Sequence, residues 1–284
     1  MIVVDEKRCR GCGLCASICH EQCIVLQDGE DDMAAWIIHE LCSTCTQCIA
    51  ICPQQALSWD GVPPIAYDIT RLPSASQLDE LFKQRRTIRR FRPKKLHRAL
   101  VEEIVGYGIH APTNNYALRA VLVDDPLTID SFDAIMMRAV ARLYGLFFRS
   151  EWVFRILRTL TPAVDPKLKV KMKRALERGR SYETPPAAMV FVVGDRRIPL
   201  SEASAHYALY TMILCAQARG LGSRIQSAGP MSLDRSRAAR RSLGLHRREH
   251  ILGTLELGWP AVRFKNKVVG KSMSMQWIER RLDD

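Results

Sequence analysis

The sequence of 284 residues contains no apolar run that approaches the length of a membrane-spanning helix. Its longest apolar stretch, Pro185 to Gly194, has the length and the Val and Phe content of a buried strand. A dinucleotide-binding fingerprint is absent, because residues 220–222 (GLG) follow a predicted helix, whereas the fingerprint glycines follow a strand and open a helix. A Walker phosphate loop is absent too. These absences argue against a helical membrane protein and against an obvious nicotinamide or nucleotide module.

Acidic residues are in the minority, with 30 Asp and Glu against 42 Lys and Arg, for a net charge of +12. Such a balance can steer an acidic redox partner, bind an anionic cofactor phosphate or favour a membrane surface. The basic residues are spread along the chain after residue 83, without a basic run interleaved with aromatic residues and without a nucleic-acid-binding motif. We therefore expect no nucleic-acid partner. The sequence also shows no signal-peptide pattern, which together with the cluster-ligand pattern of its cysteines, described next, predicts a cytoplasmic location.

Cysteine is abundant at one end of the chain, since nine of the 10 cysteines lie within the first 52 residues. Eight of them form two runs with the same spacing, Cys-x2-Cys-x2-Cys-x3-Cys, and the second run is followed by Pro53. This arrangement resembles the bacterial ferredoxins that hold two iron–sulfur clusters, in which the fourth Cys of each run ligates the cluster of the other run. We therefore predict one 4Fe–4S cluster on Cys9, Cys12, Cys15 and Cys52, and a second on Cys42, Cys45, Cys48 and Cys19.

Two other uses of cysteine fit the pattern less well. Disulfide frameworks are typical of short secreted chains, and zinc sites usually combine two separated CxxC pairs or include His. The two runs also align as an internal repeat with an offset of 33 residues, which places Ala56 over Cys23. Cys23 is interpreted as a small apolar filler beside a cluster, or otherwise as an alternative ligand or redox-active thiol. His20 stands at the repeat position that Pro53 occupies in the second copy. It is interpreted either as a surface residue or as a titratable ring near a cluster.

A stretch rich in proline and turn residues divides the chain. Residues 1–60 are the predicted two-cluster ferredoxin domain, residues 61–76 the linker and residues 77–284 a larger domain. In the larger domain we predict helices at about 77–86, 97–110, 129–160, 166–180, 201–219 and 232–243, and strands at about 120–123, 187–193 and 251–257. Ser201 is the predicted N-cap of the long helix and Gly220 the residue that follows its end. Helices mixed with a few strands, without regular βαβ spacing, indicate an α+β fold.

The larger domain opens on a basic run, with residues 85–91 reading RRTIRRF. This run resembles the Arg-Arg-Ser-x-Arg-x-Phe signature of the nitroreductase family of FMN enzymes. Later segments follow in the family's order: residues 111–115 (APTNN) are similar to its Ala-Pro-Ser/Thr loop, residues 208–222 to its long helix ending in Gly-Leu-Gly, and residues 251–260 to its last core strand and turn. The resemblance covers about residues 77–284 and implies a three-layer α/β/α domain with a mainly antiparallel sheet.

The same resemblance implies FMN as a cofactor. Because the chain has no phosphate loop, an FMN phosphate would need Arg or Lys side chains and hydroxyl donors. Arg85 and Thr87 offer both, since they lie two residues apart just after a predicted helix and could point to the same side. The resemblance places Arg89 near the flavin N1–C2 carbonyl, Asn115 at the pyrimidine edge, and the backbone N–H groups of Ser227 and Ala228 opposite N5 and O4. The predicted cofactor-binding residues are Arg85, Arg86, Thr87, Arg89, Asn114, Asn115, Ser227, Ala228 and Lys265, with Lys267 and Lys271 as alternatives to Lys265. The alternative interpretation of the basic run is a solvated face.

Two details depart from the family pattern. Residues 116–118 (YAL) replace the family's Gln-Pro-Trp, and Thr211 stands where the long helix usually has Asn. Residues 129–184 form a predicted helical insertion, which by resemblance covers the flavin and shapes the acceptor pocket. Its large apolar residues suit a flat apolar substrate, or otherwise belong to the core or a dimer contact; they are Met136, Met137, Tyr144, Phe147, Phe148 and Trp152. Its arginines also fit contact with a membrane surface.

The predicted function is an FMN-dependent oxidoreductase. Electrons would come from a low-potential external donor, such as a ferredoxin or flavodoxin, and pass through two 4Fe–4S clusters to FMN and then to a small organic acceptor. By resemblance the acceptor is a nitroaromatic, a quinone or an activated alkene, and the protein is a homodimer. No catalytic residue is assigned. The alternative is an electron-transfer adaptor or redox sensor without a substrate of its own, and a third option is unusual flavin chemistry such as dehalogenation, or flavin itself as the substrate.

Overall fold

A computed structural model describes residues 1–28, 33–112, 117–161, 164–268 and 273–278. The N-terminal part consists of short strands and short helices: β1 (Ile2–Val4), α1 (Leu14–Ile18), β2 (Ile24–Asp28), β3 (Met33–Ile37), α2 (Gln47–Ile51) and β4 (Leu57–Trp59). Strand β1 pairs antiparallel with β4, and β2 pairs antiparallel with β3. Each pair therefore joins one strand from each half of the repeat.

The backbone carries the same 33-residue offset as the sequence, because α1 and α2 begin at Leu14 and Gln47. Positive φ angles also recur in pairs: Gly11 (59°) and Thr44 (56°), Gly13 (75°) and Thr46 (63°), and Gln22 and Gln55 (both 51°). The second copy thus holds threonine in a left-handed conformation at positions where the first copy has glycine. A β-branched residue in this conformation is a true outlier, at a cost of about 1–3 kcal/mol.

The N-terminal part has a small core in which cysteine is a major component. Ile2, Ile24, Ile37 and Leu57 pack there against three buried cysteines. They are Cys15, Cys23 and Cys48. Cys15 and Cys48 are predicted cluster ligands, so the core includes residues that the sequence assigns to the clusters.

The larger part contains α3 (Ala75–Gln84), α4 (Arg98–Gly106), β5 (Arg119–Val123), α5 (Pro126–Leu143), α6 (Glu151–Leu160), α7 (Leu168–Arg178), β6 (Ala188–Gly194), α8 (Ser201–Ala218), β7 (Gly222–Ile225), α9 (Arg237–Ser242) and β8 (His250–Gly258). Its strands form one sheet in the order β5-β6-β8-β7, in which every neighbouring pair is antiparallel. The predicted α+β class and antiparallel sheet are confirmed. None of the described helices is long and apolar enough to cross a membrane.

Strand β6 shows how the sheet separates two cores. Its alternate residues Ala188, Val190 and Val192 pack with α4 and α8 on one face. The intervening residues Met189 and Phe191 pack with α5 and α9 on the other face, where the Phe191 and Phe132 rings meet edge to face at 5.6 Å. Because successive side chains of a strand point to opposite faces, an unbroken apolar strand is covered on both sides. The result is the three-layer arrangement of helix, sheet and helix.

Two predicted helices and one predicted helix cap differ from the structure. The predicted helix 129–160 is interrupted by a π-helical turn at Tyr144–Phe148, after which Ser150 caps α6 by accepting a hydrogen bond from the Val153 N–H at 3.5 Å. Ser201 is the first residue of α8 rather than its cap, since Leu200 occupies the cap with φ 60°.

The predicted helix 232–243 is also shorter than expected. A π-helical turn at Gly229–Leu233 precedes α9, which begins only after Ser236 has accepted a hydrogen bond from the Ala239 N–H at 3.3 Å. In the predicted helices 129–160 and 232–243, the apolar spacing continues across a break that a π-helical turn and a capping serine create. Hydrophobic periodicity alone does not report such a break.

Candidate functional site

The first cavity of the N-terminal part is lined by four cysteine side chains. Cys9 and Cys12 line it from the loop before α1 and Cys15 from the first turn of α1, and Cys52 comes from the end of α2, in the other half of the repeat. Gly11 allows this loop to close, because a Cβ at that position would lie 2.6 Å from the Met33 carbonyl oxygen. The structure thus brings together the four cysteines that the spacing assigns to one cluster.

The second cavity is lined by the complementary set. Cys42, Cys45 and Cys48 line it from the second copy, and Cys19 comes from the end of α1. Cys23 lies in the same cavity, with its Sγ 3.4 Å from the Sγ of Cys19. Within the part of the chain that the structure describes, no group of three or more Cys, His, Asp or Glu side chains is spaced to hold a single metal ion.

Backbone donors and burial act on these thiols in opposite directions. The N–H groups of Ala35, Thr44 and Ala56 point at the sulfurs of Cys9, Cys42 and Cys52 at 3.4, 3.4 and 3.3 Å, and such donors favour a thiolate. Burial raises the pKa of Cys15, and it raises the pKa of Cys48 to about 11. A buried group of thiolates therefore requires a cation to neutralise it.

One cavity of the larger part has a volume of about 410 Å³, which falls within the size range of small-ligand sites. It lies where the segment after α3, the insertion and strand β7 meet. Its lining residues are Arg85, Thr87, Arg89, Met137, Val140, Ala175, Arg178, Ser181, Ile213, Ser223, Arg224, Ile225, Gln226 and Ala228. No acidic side chain occurs among these described lining residues, so the wall is cationic.

The basic run reaches this cavity because it leaves α3 as an extended chain. Arg85, Thr87 and Arg89 alternate along it and all line the cavity. Ile88 is buried, and its N–H donates to the Ser223 carbonyl oxygen at 3.0 Å, which fixes the segment against β7. The predicted convergence of Arg85 and Thr87 on one side is therefore present, and Arg89 belongs to the same set.

Arg86 and Lys265 occupy other positions. The Arg86 guanidinium donates through Nη1 to the Lys83 and Arg85 carbonyl oxygens, at 2.9 and 2.6 Å, and so satisfies the end of α3. Lys265 is exposed and is not among the described residues that line the cavity. Lys267 forms an ion pair with Glu80.

The remaining predicted contacts divide between described and undescribed residues. Ala228 lines the cavity, and its N–H donates to the Gln226 Oε1 at 3.2 Å, whereas Ser227 is exposed. Asn114, Asn115 and Lys271 lie outside the described residues.

Sequence reasoning missed a buried ion pair behind the cavity wall. Glu256 is fully buried, and its two carboxylate oxygens accept hydrogen bonds from the Arg224 Nε and Nη2, both at 2.6 Å. Arg224 Nη1 also donates to the Ser181 carbonyl oxygen at 3.1 Å, which ties the end of the insertion to the sheet. One signal was available: Glu256 is the single charge in the apolar stretch 251–257, and a buried carboxylate needs a partner.

The insertion supplies part of the wall, though not through its aromatic residues. Met137 and Val140 of α5 line the cavity with Arg178 from the end of α7. Of the other apolar residues predicted for an acceptor pocket, Met136 and Phe148 are buried in the core, and Trp152 is 70% exposed. The insertion therefore forms one side of the site, while α6 faces elsewhere.

Comparisons with known proteins agree with this architecture. The chain is similar to the crystal structure of an FMN-bound nitroreductase from Desulfitobacterium hafniense, with 18% identity and a TM-score of 0.54, over 70% of this chain and 97% of that one. An FMN-bound nitroreductase from Bacteroides fragilis gives 21% identity and a TM-score of 0.51 over 72% and 99% of the two chains. The crystal structure of oxidised iodotyrosine deiodinase bound to FMN and 3-iodo-L-tyrosine gives 19% identity and a TM-score of 0.53, over 71% of this chain and 99% of that one. At these identities the likeness establishes the fold.

A comparison with curated protein sequences finds no match. The description "Nitroreductase family" belongs to the family model that matches residues 82–259, which make up more than half of the chain. This span includes the basic segment at Arg89, the insertion and the whole antiparallel sheet. The chain therefore belongs to the nitroreductase family.

Proposed function

We propose that this protein is an FMN-dependent oxidoreductase that receives electrons through two 4Fe–4S clusters bound by its N-terminal part. The observation that carries the proposal is the sorting of eight cysteines into two cavities, four to each, in a chain that also has a nitroreductase-family domain. When bound, the clusters exchange single electrons and the flavin can collect two. The protein residues supply binding, orientation and electrostatics.

The large cavity fits an FMN with its phosphate on the basic segment. Arg85 and Thr87 offer a guanidinium fork and a hydroxyl from the same side of one extended chain, which suits a phosphate. Arg89 lies two residues further along and provides a positive charge for an electron-rich ring edge. The Arg224 charge is largely neutralised by Glu256, so we assign Arg224 to the wall and not to charge stabilisation.

The Ala228 N–H provides a further contact with the ring system. In the described structure it donates to the Gln226 side chain at 3.2 Å, so ligand binding at this position requires that amide to turn away. Gln226 can turn because its Nε2 contacts to the Ser181 Oγ and the Glu256 Oε1 are long, at 3.4 Å each. We propose that Ser227 and Lys265 contribute less than the basic segment does, because both side chains are exposed.

The cysteines that line the two N-terminal cavities match the ligand sets of two cubane clusters. Each receives three sulfurs from one half of the repeat and a fourth from the other, as the ligand exchange between runs requires. N–H donors to the Cys9, Cys42 and Cys52 sulfurs support thiolate ligands and help to set cluster potentials. Cys23 lies beside the second ligand set as a buried neighbour of Cys19.

The proposal extends to partners. The electron donor is a low-potential one-electron protein such as a ferredoxin or flavodoxin, and the acceptor is a small nitroaromatic, quinone or activated alkene. We propose a cytoplasmic homodimer, since nitroreductase-family members are commonly dimeric. Tyr207 and Tyr210 on the outer side of α8 are 53% and 45% exposed and suit a subunit contact. Light scattering coupled to gel filtration measures this assembly state.

The decisive experiment uses the full chain, purified without oxygen. We expect about eight irons per chain, since two cubane clusters require them, and FMN bound to the same chain. Reduced ferredoxin should reduce the flavin rapidly, and nitroaromatics, quinones or enones should reoxidise it faster than they reoxidise free FMN.

The matched variant combines Cys12→Ser and Cys45→Ser, which removes one ligand from each proposed cluster. Reduction by ferredoxin should then slow strongly while the flavin content stays the same. Rapid reduction by NADH that is indifferent to these substitutions would overturn the route through the clusters. If no small molecule reoxidises the flavin faster than free FMN, the protein is an electron-transfer adaptor or sensor instead.

A further inference from the structure

Helix α6, within the insertion, uses only part of its apolar surface for packing. Phe154 is buried, and its ring centroid lies 5.4 Å from that of Phe148 and 5.8 Å from Lys169 Nζ. An ion pair between Lys169 and Glu151 adds a second link between α7 and α6. These contacts fix which side of α6 faces the protein.

A second apolar line runs along α6 and remains exposed. Trp152, Ile156 and Leu160 are spaced four residues apart, so they lie on one side of the helix, and they are 70%, 40% and 76% exposed. Leu146 and Phe147, in the turn before α6, are 68% and 40% exposed. Contiguous exposure of large apolar residues marks an interaction surface, in contrast to scattered exposed residues, which are ordinary.

Positive charge is concentrated around this line. Residues 138–180 contain 12 Lys and Arg but only 3 Asp and Glu, so they carry +9 of the chain's net +12. Each of the three acids is paired with a lysine of α7 or its start: Glu151 with Lys169, Asp165 with Lys171, and Glu177 with Lys173. Among the described residues, no carboxylate lies within ion-pair distance of Arg149, Arg155 or Arg158, all of which are exposed. These arginines are available to an anionic partner.

We propose that this outer face of α6, formed by Trp152, Ile156 and Leu160 with the arginines at 149, 155 and 158, binds the surface of a bilayer that contains anionic phospholipid. A helix with one apolar line that includes Trp, flanked by arginines, has the composition of helices that lie in the plane of a membrane interface. Anionic headgroups supply the negative charge that the arginines lack within the chain. The binding is peripheral and independent of either cofactor site.

Two other occupants fit the face less well. A second copy of the chain carries the same +9 on the same segment, so two such faces repel each other. An acidic protein matches the charge of the arginines. Charge pairing alone, however, does not explain the exposed apolar line from Trp152 to Leu160. A bilayer interface satisfies both properties at once.

Vesicle sedimentation with the anaerobically purified full chain tests the proposal. We expect binding to an equal mixture of phosphatidylcholine and phosphatidylglycerol, and little binding to phosphatidylcholine alone. Binding should fall steeply toward ~1 M salt, where the screening length is about 3 Å. Replacing Arg149, Arg155 and Arg158 together by Gln should weaken partitioning on the order of 100-fold, at about fivefold for each basic residue near the surface.

Matched variants distinguish binding by this face from binding that depends only on net charge or on exposed apolar residues elsewhere. Replacing Arg237, Arg241 and Arg247 by Gln changes the net charge equally but outside the insertion, and should have a much smaller effect. Trp152→Ser with Leu160→Ser should abolish the remaining binding, while Leu127→Ser, at another exposed position on α5, should not. Brominated lipid should quench Trp fluorescence less in Trp152→Phe than in Trp277→Phe. None of these residues lines the large cavity, so activity serves as a folding control.

Three results would overturn the proposal. The first is failure to sediment with anionic vesicles at low salt. The second is binding to polyglutamate, but not to vesicles, that depends on Trp152 and the three arginines, which would assign the face to an acidic protein. The third is a change of oligomeric state in the Trp152→Ser, Leu160→Ser variant, which would make the face a contact between copies.

Discussion

The two parts of this chain manage buried polar groups in opposite ways. In the N-terminal part, eight cysteines line two cavities, and the nearby polar groups are N–H donors that favour thiolates. In the larger part, the buried charge behind the cavity is Glu256, and the chain itself supplies its partner, Arg224. The proposed clusters would bring the positive charge that buried thiolates need, whereas Glu256 is already neutralised within the chain and the cavity wall in front of it stays cationic.

The two parts also differ in the size of their apolar cores. The N-terminal core consists of a few aliphatic residues and three cysteines around Leu57. The larger part has two apolar cores separated by a sheet, with fully buried residues such as Phe191 and Leu255. Chains of about 60 residues bury too little surface for comfortable stability without metals or cross-links. We therefore expect the N-terminal part to fold only with its iron and the larger part to fold without it.

Removal of iron provides the largest test of this difference. Treating the anaerobic protein with a chelator should unfold residues 1–60 and leave residues 77–284 folded, since the binding energy of structural metals, about 10–16 kcal/mol for zinc modules, is folding energy. Hydrogen exchange followed by mass spectrometry reads the two parts separately. Protection of Leu57 that survives complete iron loss would mean that the small core is sufficient by itself.

The buried ion pair provides the next largest effect, on the other part of the chain. Glu256→Leu should destabilise the larger domain by about 3–5 kcal/mol, because it leaves the Arg224 charge buried without a partner. Thermal unfolding of the larger domain measures this. The double variant with Arg224→Met should recover much of the loss, and Asp124→Asn, which breaks an exposed pair with Arg98, should cost at most about 1 kcal/mol. Equal losses for Glu256→Leu and Asp124→Asn would contradict the distinction.

The amount that sequence predicts also differs between the two parts. In the N-terminal part the ligand spacing specifies which sulfurs meet, and the four-and-four sorting of the cysteines follows from it, including Cys52 with Cys9. In the larger part, the alternation of Arg85, Thr87 and Arg89 along an extended segment was predictable. The contribution of Arg178 was not, because its position depends on how α7 packs against the sheet. The break before α6 was missed because its apolar spacing continues through Ser150.

Arg85 and Arg86 are adjacent, but only Arg85 lines the large cavity, so substitutions at the two positions should affect FMN binding differently. Arg85→Ala should weaken FMN binding by about 10-fold to 150-fold, the value of a hydrogen bond to a charged group at 1.5–3 kcal/mol. Arg86→Ala should change FMN affinity by much less, because its guanidinium serves the carbonyls at the end of α3. Fluorescence titration of the flavin-free protein measures both affinities. A larger loss for Arg86→Ala than for Arg85→Ala would restore Arg86 as a cofactor ligand.

The smallest expected effect lies within the N-terminal repeat itself. Thr46 has φ 63° where its counterpart Gly13 has φ 75°, so the second copy contains strain that the first avoids. A non-glycine residue in this conformation costs about 1–2 kcal/mol, and glycine costs roughly 0.5–1 kcal/mol in lost chain entropy. Thr46→Gly should therefore stabilise the iron-loaded N-terminal part by about 0.5–1 kcal/mol, which would appear as slower iron loss to a chelator.

The reciprocal change separates backbone strain from packing. A Cβ at position 13 would lie 3.7 Å from the nearest atom, on Leu26, so Gly13→Thr should lose stability through its backbone conformation and not through a clash. It should speed iron loss by about as much as Thr46→Gly slows it. Thr46→Gly that speeds iron loss would show that the Thr46 hydroxyl, whose Oγ1 donates to the Cys45 carbonyl oxygen at 2.7 Å, outweighs the strain. The two copies would then differ in local hydrogen bonding instead of in conformational cost.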